Sequence, residues 1–327
     1  MPLITTLIPA YKPQHLAQAL QGLARQSCRD FRVILSDDSP GQGITRMLRQ
    51  GEFGRAAHEL DIECVAGPGN ARLNKRALID RWDGRTPFVH LHLDDDVVYP
   101  HFYRAHLEAH AEGPFSVSVS RRWMSRDDAE PQQGFELPDL VARSPLHRVP
   151  LDASALFQSV VPTCSNWLGE FTNMLLSSAG AAAWPRAWTD QPNYLGWPDV
   201  GFLLEAVQRQ PIVVLREHLS VFRSHAAQTS RHMHDHGGRV SSLAWTTYAL
   251  MAWQQGRIRP EQAVQAITLN VRLCLERYGD ADPVINRSFD IVQTHGRSLV
   301  DLHAAWMMAW RELLSSHPCT APETALA

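Results

Sequence analysis

The sequence predicts an α/β protein, in which a mostly parallel sheet is flanked by helices and followed by an all-helical C-terminal region. Up to about residue 120, short apolar runs alternate with segments of helical spacing. From residue 241 onward, the apolar side chains recur only at helical spacing. Strands separated by helices of this length are joined by right-handed crossovers, which place them parallel in one sheet. Because such sheets bind ligands at the carboxyl ends of their strands, we expect chemistry in the residues after each strand.

The first half of the chain carries the strongest periodicity. Strands are predicted at residues 3–8, 31–36, 62–65, 88–93 and 115–119. The helices between them are predicted at residues 15–26, 45–50, 70–81 and 101–110. This order is typical of a Rossmann-like half that spans residues 1–120.

The second half is less regular. Residues 121–150 are polar and carry four prolines, which predicts a long loop or insertion. Helical segments are expected over 154–208, strand-like runs over 211–222 and a His-rich loop over 225–238. Further helices are predicted at 241–255, 260–277 and 297–315, with a frayed tail at 320–327.

Composition narrows the class of protein. The 31 basic and 34 acidic residues give a formal charge of -3, which argues against nucleic acid as the main partner. The five cysteines form no Cys-x-x-Cys pair, which is typical of reduced thiols in the cytoplasm. No apolar run of about 18 residues occurs, and the first residues indicate a strand instead of a signal peptide. A soluble, cytoplasmic enzyme is therefore expected.

Three acidic residues, Asp94, Asp95 and Asp96, follow the predicted strand at 88–93. Adjacent carboxylates repel one another unless a cation or hydrogen-bond donors lie among them. In an extended chain Asp94 and Asp96 point the same way, and oxygen ligands suit Mg²⁺ or Mn²⁺. The alternative is an acidic strand end that caps the next helix.

A second acidic pair, Asp37 and Asp38, follows the predicted strand at 31–36. Carboxylates at this position can accept hydrogen bonds from a nucleobase edge and from ribose hydroxyls. The alternative is a turn, because Asp-Ser-Pro-Gly is also favourable turn chemistry.

Taken in order, these segments resemble the family 2 glycosyltransferases of the GT-A fold. The family's opening strand ends in a Pro-x-Tyr-Asn-like turn, which Pro9 and Tyr11 match. The Asp-Asp pair at 37–38 is similar to its nucleoside site, and residues 94–96 are similar to its Asp-x-Asp metal motif. The resemblance covers about residues 3–235 and implies donor contacts from Asp94 and Asp95, with Asp94 and Asp96 also at the metal.

Weaker matches add further candidates. Residues 69–75 are similar to the family's Gly-x-x-x-Ala-Arg-Asn segment, which implies that Arg72 and Asn74 lie near the nucleotide, although Leu73 is inserted. Asn173 lies in a segment similar to one that often lines the donor sugar. His225 matches the strand end that supplies a histidine to the metal; the alternative is a surface histidine.

The segment at 196–203 resembles the family's Glu-Asp-x-x-Leu motif, whose Asp is the catalytic base. Asp199 takes that position, and Pro198 replaces the preceding Glu. Asp199 also suits a helix N-cap, which is compatible with a role as base. Trp197 is a candidate for the binding site, where it would form an apolar wall. The alternative is that Trp197 is a core residue.

The resemblance implies a metal-dependent, inverting hexosyltransferase that uses a UDP-, GDP- or dTDP-sugar and an unidentified acceptor. Mn²⁺ or Mg²⁺ would stabilise the leaving diphosphate, and Asp199 would take the acceptor proton. The expected domains are 1–238, with a nucleotide-sugar half at 1–120 and an acceptor half at 121–238, and a helical region at 239–327. The C-terminal helices leave a homodimer contact or peripheral membrane association open.

Two other classes of protein stay open. One is an inactive nucleotide-sugar-binding protein that keeps the fold for a partner. The other is a sugar-phosphate nucleotidylyltransferase, which should carry a glycine-rich loop after the first strand. The turn after that strand begins instead at Pro9 and continues through Tyr11 to Pro13.

Overall fold

A computed structural model describes residues 2–126, 129–184, 196–225 and 234–315, except for the side chain of Arg72. That side chain and the predicted tail at 320–327 lie outside the described residues. The described residues within Met1–Leu151, Trp167–Trp184 and Ala206–His225 form one compact unit. Those within Asp152–Asn166, Pro185–Glu205 and Ala226–Ala327 form a second.

The first unit is built on a mixed sheet. Its strands, within the described residues, are β1 (Ile4–Ala10), β2 (Phe31–Asp37), β3 (Ile62–Ala66), β4 (Phe88–Leu91), β5 (Val97–Val98), β6 (Val117–Ser125), β7 (Gln133–Gly134), β8 (Arg148–Leu151), β9 (Met174–Ser177) and β10 (Ile212–Arg223). Their order is β3-β2-β1-β4-β9-β6-β10-β5, with β7 beside β6 and β8 beside β10. The first four strands of this order are parallel, which confirms the predicted α/β fold.

The helices surround this sheet or form the second unit. In chain order, the described residues contain α1 (Leu16–Ala24), α2 (Gly43–Gln50), α3 (Arg55–His58), α4 (Ala71–Trp82), α5 (Phe102–Ala111), α6 (Asp139–Ala142), α7 (Ala153–Val160), α8 (Ser178–Ala181), α9 (Pro198–Ala206), α10 (His236–Gln254), α11 (Pro260–Tyr278), α12 (Pro283–His295) and α13 (Leu299–Ser315). The structure also has short 3-10 turns at Pro40–Gln42 and Phe171–Asn173.

The core of the first unit is formed by buried apolar side chains of its strands and helices. In β1, Ile4, Leu7 and Ile8 are fully buried although they point to both faces of the strand. A strand that is apolar on both faces is typical of a parallel sheet covered on both sides. In α1, Leu16, Leu20 and Leu23 are buried at helical spacing.

The segment 121–150, predicted as a long loop or insertion, is not a loop throughout. Residues 121–125 extend β6, and the segment also contains β7, α6 and most of β8. The polar character that favoured a loop comes partly from Arg122, which is buried. Its Nε lies 2.8 Å from Oε2 of Glu170, and this ion pair allows a charged residue inside a strand.

The antiparallel strand β9 was not predicted, because Met174–Ser177 lies in a stretch where helices were expected. A short apolar run has no periodicity that separates strand from helix. Its conformation is set by its neighbours, because Leu176 pairs with Val89 of β4 and with Val117 of β6.

The second unit is helical, as expected for the C-terminal region, although α12 was not predicted. The α10 helix is buried along most of its length. Its polar positions are paired: Asn270 Nδ2 donates to Thr246 Oγ1 at 2.9 Å, and Trp306 Nε1 donates to Thr247 Oγ1 at 2.8 Å. Because Trp306 is 3% exposed, it is a core residue of this unit.

None of the described helices combines the length and the apolar character that a transmembrane segment requires.

Candidate active site

Several predicted site residues lie at one edge of the sheet. β1, β2 and β4 are parallel, so their carboxyl ends lie together. β10 also ends at this edge, because it is parallel to β6, and both β6 and β4 are antiparallel to β9. The residues after these four strands are the Tyr11 loop, the Asp38 loop, the acidic turn at 94–96 and His225.

A pocket of about 560 Å³ lies beside the ends of β2 and β3. Its walls are residues 37–42, part of α2, and the loop at 66–69 that follows β3. The α2 wall includes Thr45, Arg46 and Arg49. The pocket therefore combines carboxylates, guanidinium groups and backbone amides in one concave site.

Asp37 shapes the pocket from inside the protein. It is 2% exposed, and its two carboxylate oxygens accept hydrogen bonds from the backbone N–H groups of Ser39 at 3.0 Å and Thr45 at 2.7 Å. Burial by itself would raise the pKa of Asp37, but the hydrogen bonds from Ser39 and Thr45 hold it below its usual value. The turn predicted as the alternative is thus present at Asp37.

Asp38 has a different environment, on the pocket wall. Its Oδ1 accepts the backbone N–H of Gly69 at 2.5 Å, which joins the ends of β2 and β3. Gly67 contacts Asp38 so closely that an added Cβ atom would lie 2.4 Å from Asp38 Oδ1. A glycine at this position therefore lets the loop approach the carboxylate.

The three acidic residues after β4 lie in a turn, and each has different partners. Asp94 Oδ2 accepts the backbone N–H groups of Tyr11 at 2.8 Å and Lys12 at 3.2 Å. Burial and the charge of Asp95 raise the pKa of Asp94 to about 6, against the opposite effect of these two hydrogen bonds. The Tyr11 side chain itself is 55% exposed.

Asp96 is fully buried. Its Oδ1 accepts the backbone N–H of Arg223 at 3.0 Å, and its Oδ2 accepts the Thr172 hydroxyl at 2.8 Å. Burial, followed by the charges of Asp95 and Glu170, raises the pKa of Asp96 well above its usual value. Because residues 94 and 95 form a turn, the strand alternation expected to align Asp94 with Asp96 does not apply here.

Asp95 forms the contact with the predicted metal histidine. Its Oδ2 lies 3.0 Å from Nε2 of His225. Arg223, which is fully buried, donates from Nε to the Asp95 carbonyl at 2.7 Å and from Nη2 to Gln18 Oε1 at 2.5 Å. The imidazole of His15 contacts that of His225, with ring centroids 5.0 Å apart and ring planes tilted by 53°.

A carboxylate and an imidazole, as at this turn, are side chains that can hold a divalent cation. No group of three His, Cys, Asp or Glu side chains with metal-site geometry occurs in the part of the chain that the structure describes. Mg²⁺ and similar ions, however, commonly take one or two protein ligands and complete their shell with phosphate and water. The Asp95–His225 pair can supply two such ligands.

The remaining candidates of the first unit lie within secondary structure or in the protein interior. Pro9 lies within β1, and Asn74 is 2% exposed in α4. Asn173 is fully buried and donates from Nδ2 to the Ser120 and Leu168 carbonyls at 2.6 and 2.8 Å. The donor roles expected for these residues remain predictions.

Asp199 and Trp197 belong to the second unit. Asp199 lies in the first turn of α9, where its negative charge favours the helix. Trp197 Nε1 donates to the Ser241 carbonyl at 2.7 Å, and the tyrosine hydroxyl of Tyr248 accepts the Trp197 N–H at 3.1 Å. Gly196, with φ of +104°, lets this segment approach α10, because a Cβ atom there would lie 2.5 Å from Ala244 Cβ.

Several residues of the site were not predicted. Arg46 and Arg49 on the pocket wall read as ordinary charged positions on a surface helix. Thr172, in the 3-10 turn Phe171–Asn173, and Arg223, at the end of β10, contact the acidic turn. Arg223 does have a sequence signal, because it is a charged residue at the end of the apolar run Val221–Phe222.

Comparison with known proteins gives similarity at the level of fold. No family model matches the chain, and no curated protein matches its sequence. Among solved structures, S. aureus TarS in complex with UDP aligns with a TM-score of 0.55 at 12% identity, over 97% of this chain and 91% of that chain. TarS in complex with UDP-GlcNAc aligns with a TM-score of 0.54 at 13% identity, over the same shares.

A third solved structure is the mannosyltransferase PcManGT from Pyrobaculum calidifontis in complex with GDP-Man and Mn²⁺. It aligns with a TM-score of 0.52 at 10% identity, over 96% of this chain and 88% of that chain. At these identities the alignments establish shared architecture. The GT-A-type fold predicted from the sequence is confirmed by its likeness to these structures.

Proposed function

We propose that this protein is an inverting glycosyltransferase that moves a hexosyl group from a nucleoside diphosphate to an acceptor hydroxyl. The observation that carries the proposal is the arrangement at one sheet edge: the Asp38 pocket, the acidic turn and the Asp95–His225 contact. Solved structures that share this fold hold UDP, UDP-GlcNAc, or GDP-Man with Mn²⁺. In this proposal the nucleoside occupies the pocket and the diphosphate lies beside the acidic turn.

A divalent cation, Mn²⁺ or Mg²⁺, is part of the proposal. We assign Asp95 and His225 as its protein ligands, because their side chains are 3.0 Å apart and both reach the sheet edge. Asp96 is a weaker candidate than expected, since Thr172 and Arg223 already donate to its two oxygens. When bound, the cation would neutralise charge on the departing diphosphate.

Residues of the first unit then hold the donor. Asp38 accepts a hydrogen bond from the nucleoside, and the loop that begins at Tyr11 is fixed by Asp94 through two backbone N–H groups. Arg223 holds Asp95 and Gln18 together, so the acidic turn is preorganised before the donor binds. Alignment of the donor for attack requires this kind of fixed geometry.

The transfer itself is proposed as a single displacement. The acceptor oxygen forms a bond to the anomeric carbon while the bond from that carbon to the diphosphate oxygen breaks. Asp199 takes the acceptor hydroxyl proton, and the nucleoside diphosphate leaves with the bonding electron pair. One displacement inverts the configuration at the anomeric carbon, and no covalent enzyme intermediate forms.

The proposal is tested by release of nucleoside diphosphate from a panel of UDP-, dTDP- and GDP-sugars with Mn²⁺, in wild type and Asp199→Asn. We expect wild type to turn over one donor class. Asp199→Asn should bind that donor with unchanged affinity and lose at least 100-fold in turnover, because a general base contributes about 10²- to 10⁴-fold.

Two outcomes would contradict the proposal. Full turnover by Asp199→Asn would remove this residue as the base and leave only its role in the first turn of α9. Donor binding without turnover in wild type, across a panel of sugar and lipid acceptors, would favour the inactive nucleotide-sugar-binding protein.

A further inference from the structure

Thr172 holds the acidic turn on both sides of Asp95. Its hydroxyl donates to Asp96 Oδ2 at 2.8 Å and accepts the backbone N–H of Leu93 at 3.1 Å. Asp95, the residue that reaches His225, lies between these two points of attachment. The hydroxyl of Thr172 thus uses its donor and an acceptor position to fix the turn.

The backbone carbonyl of Thr172 is itself held by a buried histidine. His90, on β4, places Nε2 2.9 Å from that carbonyl and Nδ1 3.0 Å from the hydroxyl of Tyr103 on α5. The Tyr103 hydroxyl also lies 2.5 Å from Oγ1 of Thr6, on β1. All four residues are fully buried, so that water does not replace a hydrogen bond that is lost among them.

The partners of His90 fix which of its ring nitrogens carries the hydrogen. Burial, followed by the nearby imidazole of His92, holds the pKa of His90 well below its usual value, so the ring is neutral. A carbonyl can only accept a hydrogen bond, so Nε2 carries the hydrogen and donates to Thr172. Nδ1 must then accept from the Tyr103 hydroxyl, whose oxygen accepts in turn from Thr6. The hydrogen bonds therefore run in one direction, from β1 to the residue that holds the acidic turn.

We infer that His90 and Tyr103 are positioning residues for the proposed cation site and act through Thr172. Together they keep Asp95 oriented toward His225. This inference rests on the proposed function and adds to it two residues that do not themselves bind the cation. Outer partners of this kind orient the groups that bind a metal, and their loss commonly weakens metal binding about 10- to 100-fold.

The test is the Mn²⁺ affinity of the full chain, measured by electron paramagnetic resonance of free Mn²⁺ at saturating UDP, dTDP or GDP, whichever binds the wild type. Thr172→Val keeps the shape of the side chain and removes the hydroxyl, so Mn²⁺ affinity should fall about tenfold. Thr172→Ser retains the hydroxyl, so its affinity should stay within about threefold of wild type. His90→Leu and Tyr103→Phe should each weaken Mn²⁺ binding about fivefold, because each interrupts the hydrogen bonds that lead to Thr172.

His106→Leu is the matched control. His106 lies on α5, is fully buried, and places Nδ1 2.7 Å from Ser118 Oγ. Its other ring nitrogen, Nε2, has no hydrogen-bond partner among the described residues, so His106 does not belong to the chain of hydrogen bonds that leads to Thr172. The variant makes the same exchange in the core as His90→Leu and should keep the wild-type Mn²⁺ affinity.

A second measurement needs no ligand. Nuclear magnetic resonance of isotope-labelled histidine should show the signal that is lost in His90→Leu as the neutral form with hydrogen on Nε2. Hydrogen on Nδ1 instead would overturn the inference, because the Tyr103 hydroxyl would then have no acceptor on the ring.

Wild-type Mn²⁺ affinity in folded Thr172→Val or His90→Leu would overturn the inference while the proposed function stands. An equal loss of affinity in His106→Leu and His90→Leu would do the same, since it would make the effect one of core packing. If His90→Leu does not fold, Tyr103→Phe decides, because it removes only a hydroxyl. Failure of the folded wild type to bind Mn²⁺ with any of the three nucleotides would instead overturn the proposed function.

Discussion

Nε2 of His225 lies 3.0 Å from Oδ2 of Asp95, although 130 residues separate the two along the chain. The contact joins the residues that follow β10 to the acidic turn after β4. Arg223 stabilises the acidic turn, because its guanidinium donates to the Asp95 carbonyl and its backbone N–H donates to the Asp96 carboxylate. The pair is therefore held in place by the fold of the first unit.

His225→Ala should weaken Mn²⁺ binding in the presence of UDP at least tenfold. The physical reason is that a cation with only two protein ligands loses one of them. The measurement is electron paramagnetic resonance of free Mn²⁺ during titration into the protein with saturating UDP. The control is His147→Ala, because His147 makes a similar 2.7 Å contact with Glu217 but is 69% exposed and outside the proposed site. Equal Mn²⁺ affinity in the two variants would contradict the assignment.

Gly67→Ala should weaken UDP binding about tenfold by displacing Asp38. A Cβ atom at this position would lie 2.4 Å from Asp38 Oδ1, which forces the carboxylate to move and costs a charged hydrogen bond to the ligand. Affinity is measured by calorimetry, and circular dichroism checks the fold. At Gly43 the nearest atom to an added Cβ is 3.6 Å away, so Gly43→Ala should bind UDP normally. Unchanged affinity in folded Gly67→Ala would show that Asp38 does not contact the nucleotide.

Glu170→Gln should destabilise the first unit by about 3–5 kcal/mol, because it leaves the buried guanidinium of Arg122 without its opposite charge. The measurement is urea unfolding followed by fluorescence. The exposed pair Asp139–Arg143 provides the control, and Asp139→Asn should change the free energy of unfolding by less than about 1 kcal/mol. A small effect of Glu170→Gln would mean that solvent reaches Arg122 in solution.

Acid should lower the stability of the second unit, partly through Asp282. This residue caps α12 and accepts a hydrogen bond from Arg239 Nε at 2.7 Å. Burial by itself would raise the pKa of Asp282, but Arg239 and the N–H groups of Ile285 and Val284 hold it below its usual 3.8. Because the folded-state pKa is the lower one, the charged carboxylate stabilises the fold fully above the unfolded-state value of 3.8, and this contribution is lost as pH falls from about 4 through the folded-state pKa. The difference in unfolding midpoint between wild type and Asp282→Asn should therefore shrink between pH 6 and pH 3. A constant difference would contradict this role.

The sequence predicts the parallel part of the fold well, because buried parallel strands and amphipathic helices have strong local patterns. The sequence does not reveal contacts between residues that are distant along the chain. Arg122 and its neighbours carry the polarity of a loop, yet a buried partner at Glu170 keeps them in β6. Met174–Ser177 is apolar enough for a helix or a strand, and β4 and β6 decide its conformation.

Some residues of the candidate site could also be predicted from the sequence, and others could not. Asp38 and the acidic turn could be predicted, because carboxylates follow apolar strands at the ligand-binding edge of a parallel sheet. The partner of His225 could not: strand alternation favoured Asp94 and Asp96, whereas the turn directs Asp95 toward the imidazole. Arg46 and Arg49 are missed because a charged residue on a helix is usually solvated, and only the pocket distinguishes these two.

The most direct test of the central claim is calorimetric titration of the purified chain with UDP, dTDP and GDP, each with and without Mn²⁺. We expect one of these nucleotides to bind with Mn²⁺ and its affinity to fall at least tenfold when the metal is removed. The same nucleotide should lose its dependence on Mn²⁺ in Asp95→Ala. No binding of any nucleotide to the folded protein, with or without Mn²⁺, would contradict the proposed donor site.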